Sequence, residues 1–131
     1  MDRFREPPEE GIFSDALWSD PQPFAGRGPS KRGVGMSFGP DVTERFLSAN
    51  NLQLLIRSHE VMEEGYQVMH GGKCVTVFSA PNYCDQMGNK GGIVRLDATC
   101  TPSYVSFEAV PHPPMRPMAY SAGLGSNLFG L

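Results

Sequence analysis

The sequence has few cysteines, no long apolar run and no marked excess of charge of either sign. Its three cysteines, Cys74, Cys84 and Cys100, are an odd number without CxxC spacing, which excludes a disulfide framework and a zinc finger. No apolar stretch approaches the roughly 18 residues that span a bilayer, and the polar first ten residues lack the apolar core of a signal peptide. We therefore expect a reduced compartment, the cytoplasm or the nucleus.

The charge balance also limits the class of partner. The chain has 11 Lys and Arg against 14 Asp and Glu, and these charges are dispersed without a basic stripe. Neither nucleic acid nor a membrane surface is therefore expected to be a partner. At 131 residues, with 15 Gly and 12 Pro, the chain can form at most one domain, and loops should take a large share of it.

One helix is predicted between Gly39 and Asn50. Pro40 suits the first helical position, and Asp41 suits the positive end of the helix dipole. The residues predicted to form its buried stripe are Val42, Phe46 and Leu47.

The remaining local patterns predict short strands joined by loops. Pro21–Gly35 is rich in Gly, Pro and Ser, which predicts a long loop of the kind that is usually functional. The segments with strand patterns are Leu52–Ile56, Tyr66–Met69, Cys74–Phe78, Ile93–Leu96 and Tyr104–Phe107. The second and third of these flank Gly71-Gly72 and predict a hairpin.

Three residues in the loops are the main candidates for chemistry. His59 follows an apolar run, and an imidazole at a strand end is a common ligand for Mn, Fe or Zn, although such a histidine is more often structural. Arg32 presents a planar fork that fits phosphate, but composition alone favours a solvated loop arginine. The Tyr83 hydroxyl can donate a hydrogen bond to a phosphate, or its ring can pack under its own loop.

Three further residues have weaker signals. Asp20 precedes a proline, where an aspartate often begins a turn. Arg57 is expected to pair with a carboxylate and to stabilise the position of His59 without itself binding a ligand. Cys84 neighbours Tyr83 and could be a reactive thiol, but nothing in the sequence favours a thiolate there. Lys31, beside Arg32, is expected to be only a surface charge.

Six motifs in this sequence resemble the phosphoprotein phosphatase family of serine/threonine phosphatases. They are LWSDPQP (17–23), KRGV (31–34), FGPDVTERFL (38–47), IRSHEV (56–61), VTVFSAPNYCDQMGNKGG (75–92) and AVPHPPMRPMAY (109–120). The motifs GDxHG, GDxVDRG and GNHE, which open the catalytic domain in that family, do not occur here. We therefore expect the C-terminal part of a catalytic domain over 1–120 and a tail, disordered or folded back on the domain, over 121–131.

The resemblance implies a fold and a reaction. The fold would be α/β, the C-terminal portion of a calcineurin-like metallophosphoesterase β-sandwich flanked by helices, with mostly strands in this portion. The reaction would be hydrolysis of phosphoserine and phosphothreonine in proteins by water that bridges two divalent metal ions, Mn, Fe, Zn or Mg. Phosphoprotein substrates would be partners, along with regulatory or scaffold proteins. The alternative is a non-catalytic interaction fragment that retains part of the substrate surface.

The resemblance also implies roles for single residues. His59 matches the family's late metal-binding histidine and would be the one ligand that this chain supplies. Arg32 falls at the phosphate-clamping arginine, and Tyr83 lies in a loop that overhangs the active site. Cys84 stands where relatives carry a toxin-reactive thiol, and Asp20 lies in a motif that borders the site. The catalytic histidine would come from outside these 131 residues, so the chain alone should be inactive.

The missing motifs imply that sheet neighbours are missing as well. The segment Cys74–Phe78 is uncharged and β-prone, so we expect it to lie at an exposed sheet edge. The chain alone should then be oligomeric or aggregated and should melt without cooperativity.

Overall fold

The computed structural model describes residues 2–114, which form two helices and three small sheets. In chain order the elements are α1 (Ile12–Trp18), β1 (Asp20–Pro21), β2 (Arg27–Pro29), β3 (Met36–Phe38), α2 (Pro40–Ala49), β4 (Leu55–Arg57), β5 (Tyr66–Met69), β6 (Cys74–Val77), β7 (Gly91–Leu96) and β8 (Pro102–Phe107). Short 3₁₀ turns lie at His70–Gly72 and Tyr83–Asp85. Neither described helix is long and apolar enough to cross a membrane. The predicted boundary at residue 120 lies outside the described residues.

The segment predicted as one long loop instead contributes two strands to a sheet. Strand β3 is central, with β1 parallel to it on one side and β2 antiparallel on the other. The prediction of a continuous loop over Pro21–Gly35 was wrong because these strands are only two or three residues long. They lack any apolar alternation and form through pairing with β3.

The second sheet has the order β4-β6-β5 and contains three fully buried residues. Strand β6 pairs in parallel with β4 and antiparallel with β5, which confirms the predicted hairpin. Cys74, Val75 and Thr76 are fully buried. The expected exposed edge at β6 is therefore wrong, because β4 and β5 cover both of its sides and are themselves the edge strands of this sheet. Strand β4 begins at Leu55, three residues later than the predicted strand Leu52–Ile56.

Helix α2 confirms the predicted position but only part of the predicted buried stripe, namely Leu47. Thr43 and Leu47 are its buried residues, whereas Phe46 is half-exposed. The reason is a polar contact: the Thr43 hydroxyl lies 2.8 Å from Nδ1 of His70, whose Nε2 lies 2.8 Å from the carbonyl oxygen of Gln22. The helix thus packs a hydroxyl, and not only apolar side chains, against the turn after β5.

The third sheet is the β7-β8 hairpin, which packs against the second sheet through several contacts. The Tyr66 ring on β5 stacks on the Tyr104 ring on β8, with centroids 4.7 Å apart. The backbone of Gly65 crosses that of Gly91 and Gly92, and a Cβ on Gly65 would lie 2.3 Å from the carbonyl carbon of Gly91. Gly65 also has a φ of +80°, which other residues rarely adopt.

We expect Gly65→Ala to disrupt the packing of β5 on β7. Its Cβ would overlap backbone atoms that cannot move without shifting the hairpin, and the positive φ adds strain of about 1–2 kcal/mol. Amide hydrogen exchange should show lost protection in both strands. The matched control is Gly72→Ala, which has the same backbone strain at φ +89° but no atom near the added Cβ. Equal effects of the two substitutions would mean that the crossing does not constrain the fold.

Candidate active site

Three loops meet at one edge of the second sheet. Strands β4 and β6 are parallel, with Arg57 opposite Thr76. The segments that follow them therefore both begin at the carboxyl ends of these strands. His59 follows β4, Tyr83 follows β6, and Arg32 lies in the turn between β2 and β3. These side chains surround a cavity of about 490 Å³, whose lining residues are Lys31, Arg32, His59, Glu60, Val61, Phe78 and Tyr83. The structure therefore brings together the three main candidates for chemistry.

Asp20 is buried behind this cavity between two guanidinium groups. Its Oδ2 accepts a hydrogen bond from Arg32 Nε at 2.6 Å, and its Oδ1 accepts one from Arg57 Nη2 at 2.6 Å. The expectation that Asp20 merely begins a turn was incomplete, because its carboxylate is shared by two arginines that are distant in sequence. The expected pairing of Arg57 with a carboxylate is confirmed.

The ion pairs shift two pKa values. Burial alone would raise the pKa of Asp20, but its hydrogen bonds to Arg32 and Arg57 and their positive charges outweigh burial and lower that pKa. The hydrogen bond to Asp20 raises the pKa of Arg32. Both groups are therefore charged at neutral pH, which holds Arg32 in place beside the cavity.

Arg32 is held along one side of its guanidinium group. Besides the Nε contact with Asp20, its Nη2 donates to the carbonyl oxygen of His59 at 3.3 Å. Within residues 2–114, the hydrogen bonds of Arg32 to protein groups come from its backbone N–H, Nε and Nη2, and the residue lines the cavity. The alternative of a freely solvated loop arginine does not fit, because the side chain is only 26% exposed. In this arrangement the guanidinium group is held in place and can donate hydrogen bonds to an anion.

His59 lines the cavity, and its backbone has a strained conformation. Its φ is +96°, and its ring lies edge-on to Trp18 with centroids 5.2 Å apart. Strain of this kind clusters at functional sites. Among the described residues, no three His, Cys, Asp or Glu side chains converge in a way that could hold a metal ion. The exposed imidazole of His59 can still contribute a single ligand to a metal that other residues complete.

Tyr83 begins the 3₁₀ turn Tyr83–Asp85 and lines the cavity. Its ring packs edge-on against Phe78 at 5.1 Å, and 45% of the residue is exposed. The ring therefore packs under its own loop and still lines the cavity. Cys84 is exposed next to it, with a φ of +56°, but it is not part of the cavity lining.

Glu60 is a cavity residue that sequence reasoning missed. Its Oε2 accepts from Arg57 Nη1 at 2.9 Å, and its Oε1 lies 3.2 Å from Nζ of Lys31. No local signal indicates this pair, because a three-residue spacing brings side chains together on a helix, and Arg57 and Glu60 lie outside one. Lys31 has a side chain that is 74% exposed, in line with the expected surface charge, although it also lines the cavity.

Comparison with known proteins shows which proteins this chain is similar to. Residues 1–63 match the family model of calcineurin-like phosphoesterases. The chain is 67% identical over 122 residues to serine/threonine-protein phosphatase 5 of Arabidopsis thaliana, which covers 92% of this chain and 23% of the relative. It is 62% identical over 125 residues to serine/threonine-protein phosphatase T of Trypanosoma brucei brucei, covering 94% and 26%. The chain thus spans about a quarter of the length of these relatives.

A solved structure agrees with the sequence matches. It is a protein serine/threonine phosphatase from Saccharomyces cerevisiae with similarity to human phosphatase PP5. The superposition has a TM-score of 0.80 at 46% identity and covers 92% of this chain and 41% of that one. The motifs in this sequence already resemble phosphatase 5 within its family. The comparisons confirm that resemblance: this chain has the fold of a portion of a calcineurin-like phosphoesterase domain, and over most of its length it is similar in sequence to serine/threonine-protein phosphatase 5.

Proposed function

We propose that this chain is part of a metal-dependent protein serine/threonine phosphatase that hydrolyses phosphoserine and phosphothreonine. The convergence of Arg32, His59 and Tyr83 on one cavity is the observation that carries the proposal. An arginine fork, an imidazole and a phenol are the groups that bind phosphate oxygens and a divalent metal ion. The names of the relatives support the same substrate class.

Arg32 is proposed to bind the phosphoryl group. Its contacts with Asp20 and His59 hold the guanidinium group in place before substrate arrives, so little reorganisation is needed when charge develops on the phosphoryl oxygens. Tyr83 is proposed to donate a hydrogen bond to the same group from the opposite side of the cavity. Cys84 lies beside this contact and is proposed only as a site where an electrophile could attach.

His59 is proposed to hold one ion of a two-metal pair, Mn, Fe, Zn or Mg, with the other ligands supplied by sequence outside this chain. When bound, such ions polarise phosphoryl oxygens and activate water. Arg57 and Glu60 stabilise the segment that carries His59. Phosphoprotein substrates and regulatory or scaffold proteins are proposed as partners, in the cytoplasm or the nucleus.

A second candidate function is a non-catalytic interaction fragment. The observation that favours it is an open cavity lined by Arg32, His59 and Tyr83 without a convergent metal-ligand cluster among the described residues. Such a fragment would bind phosphopeptides or phosphatase scaffolds without turning them over. Binding without turnover by the 131-residue chain would distinguish it from an enzyme part that needs the rest of its domain.

We expect the 131-residue chain alone to be inactive on phosphoesters. A two-metal hydrolase needs ligands for ions about 3.5–4 Å apart, and His59 is the one ligand proposed here. The test compares this chain with a completed domain, in which the chain is joined to the parts of the Arabidopsis catalytic domain that lie outside the matched residues. Manganese-dependent turnover of a phosphopeptide should appear only in the completed domain and should be lost in His59→Ala. Turnover by the chain alone would contradict the requirement for further ligands, and an inactive completed domain would contradict the proposed function.

A further inference from the structure

The loop that carries Tyr83 contains an unusual number of left-handed residues. Asn82, Cys84 and Asp85 have φ values of +46°, +56° and +58°. Residues with side chains rarely adopt this conformation, and it persists only where surrounding groups hold it. Some feature outside the turn must therefore determine where the Tyr83 side chain lies.

One buried side chain holds both ends of this loop. Asn89 is only 3% exposed, and its amide group makes three hydrogen bonds. Oδ1 accepts from the Tyr83 backbone N–H at 2.9 Å, while Nδ2 donates to the carbonyl oxygens of Ala80 and Lys90, each at 2.9 Å. The backbone adds a fourth contact, because the Asn82 N–H donates to the Asn89 carbonyl oxygen at 2.7 Å.

Asn89 does not line the cavity, so its contacts have no direct part in binding a ligand there. Its side chain nevertheless bonds directly to the backbone of Tyr83, which does line the cavity. The Phe78 ring packs against the Tyr83 ring. The Tyr83 carbonyl oxygen accepts from Gln86 and Met87 within the turn itself, whereas the Tyr83 N–H donates to Asn89, which connects the turn to the residues that flank it. An amide is well suited to this position, since it offers an acceptor to an N–H and two donors to carbonyl groups at once.

We propose that Asn89 is a positioning residue that sets the place of Tyr83 at the cavity through the backbone of its loop. The inference rests on the proposed function, in which the Tyr83 hydroxyl donates to a bound phosphoryl group. Asn89 itself touches no substrate. Its sequence signal was weak, because Gly88-Asn89 is typical of an ordinary exposed turn.

The first test measures the loop without measuring activity. In the completed domain, Asn89→Ala should speed amide hydrogen exchange at residues 82–85 by roughly tenfold, since the Tyr83 N–H loses its acceptor. Exchange in β7 and β8 should stay unchanged, which shows that the variant is folded. Asn89→Asp keeps the acceptor for Tyr83 but faces a buried carboxylate oxygen towards the carbonyl oxygens of Ala80 and Lys90, so it should loosen the loop at least as much as Asn89→Ala. The matched control, Asn51→Ala, changes an exposed asparagine at the end of α2 and should leave the loop unchanged.

The second test asks whether Asn89 acts through Tyr83. With p-nitrophenyl phosphate as substrate, Tyr83→Phe and Asn89→Ala should each lower kcat/KM by roughly tenfold. The double variant should be little worse than either single variant, because the hydroxyl that Asn89 positions is already absent. A merely structural asparagine would give additive losses of about a hundredfold, and that result would overturn the proposal.

The two tests separate failure of this inference from failure of the proposed function. If exchange at residues 82–85 is unchanged in Asn89→Ala, Asn89 does not hold the loop and the inference is wrong, whatever the activity. If exchange rises but Tyr83→Phe has normal kinetics, the inference is also wrong, because Asn89 then positions a side chain without a role. If the completed domain has no activity at all, the proposed function fails, and exchange alone decides whether Asn89 sets the place of Tyr83.

Discussion

Arg32→Ala in the completed domain should lower kcat/KM for a phosphopeptide roughly 30- to 1000-fold. The loss corresponds to on the order of 2–4 kcal/mol of transition-state stabilisation, the range typical of a charge-assisted contact to a developing oxyanion. Arg32→Lys should recover little of this activity, because a lysine cannot contact Asp20, the His59 carbonyl group and a phosphoryl group at the same time. Steady-state kinetics on the purified variants measures the effect.

Two variants serve as controls for Arg32→Ala. Arg45→Ala removes a 70% exposed guanidinium group on α2 and should be silent. Lys31→Ala should reduce activity a few-fold at most, since its ammonium group is 74% exposed and is paired with Glu60. If Lys31→Ala and Arg32→Ala have equal effects, the wrong residue has been assigned to the phosphoryl group.

Asp20→Asn should destabilise the completed domain by on the order of 3 kcal/mol and should also reduce activity. The substitution leaves the guanidinium groups of Arg32 and Arg57 close together without the buried carboxylate that both contact. Arg32 then loses the contact that orients it towards the cavity. Urea unfolding at neutral pH measures the stability, and kcat/KM measures the loss of orientation. If the variant has lower activity but unchanged stability, the predicted contribution of Asp20 to stability is wrong, and its role is only to position Arg32.

The same residue predicts a dependence of stability on pH. The folded state lowers the pKa of Asp20, so the ionised form stabilises the fold. This contribution is complete above the ordinary aspartate pKa of about 3.9 and is lost as the pH falls through the lower pKa of the folded state. Asp20→Asn should therefore flatten the loss of stability below about pH 4. Glu108→Gln, which neutralises a carboxylate that is 75% exposed, should leave that loss unchanged.

Most of the local structure could be predicted from the sequence because its signals are short-range. The proline and aspartate at the start of α2 placed that helix, and the two glycines after Met69 placed the hairpin of β5 and β6. The very short strands β1, β2 and β3 could not be predicted, because nothing in two or three residues indicates a strand before its partner is present. The burial of Leu47 on α2 was predicted, but that of Thr43 was missed, since its hydroxyl contacts His70 in the turn after β5.

The motifs alone were enough to indicate the phosphatase resemblance and to select Arg32, His59 and Tyr83. Only the folded chain decided how these residues are held. Asp20 lies 12 residues from Arg32 and 37 from Arg57 along the sequence, so no local pattern could show that one buried carboxylate joins both. Asn89 likewise resembles a turn residue until folding buries its amide against the Tyr83 loop. Residue type and motif determine which chemistry is available, whereas burial and long-range pairing determine its geometry and the pKa of each group, because both arise only when distant segments meet.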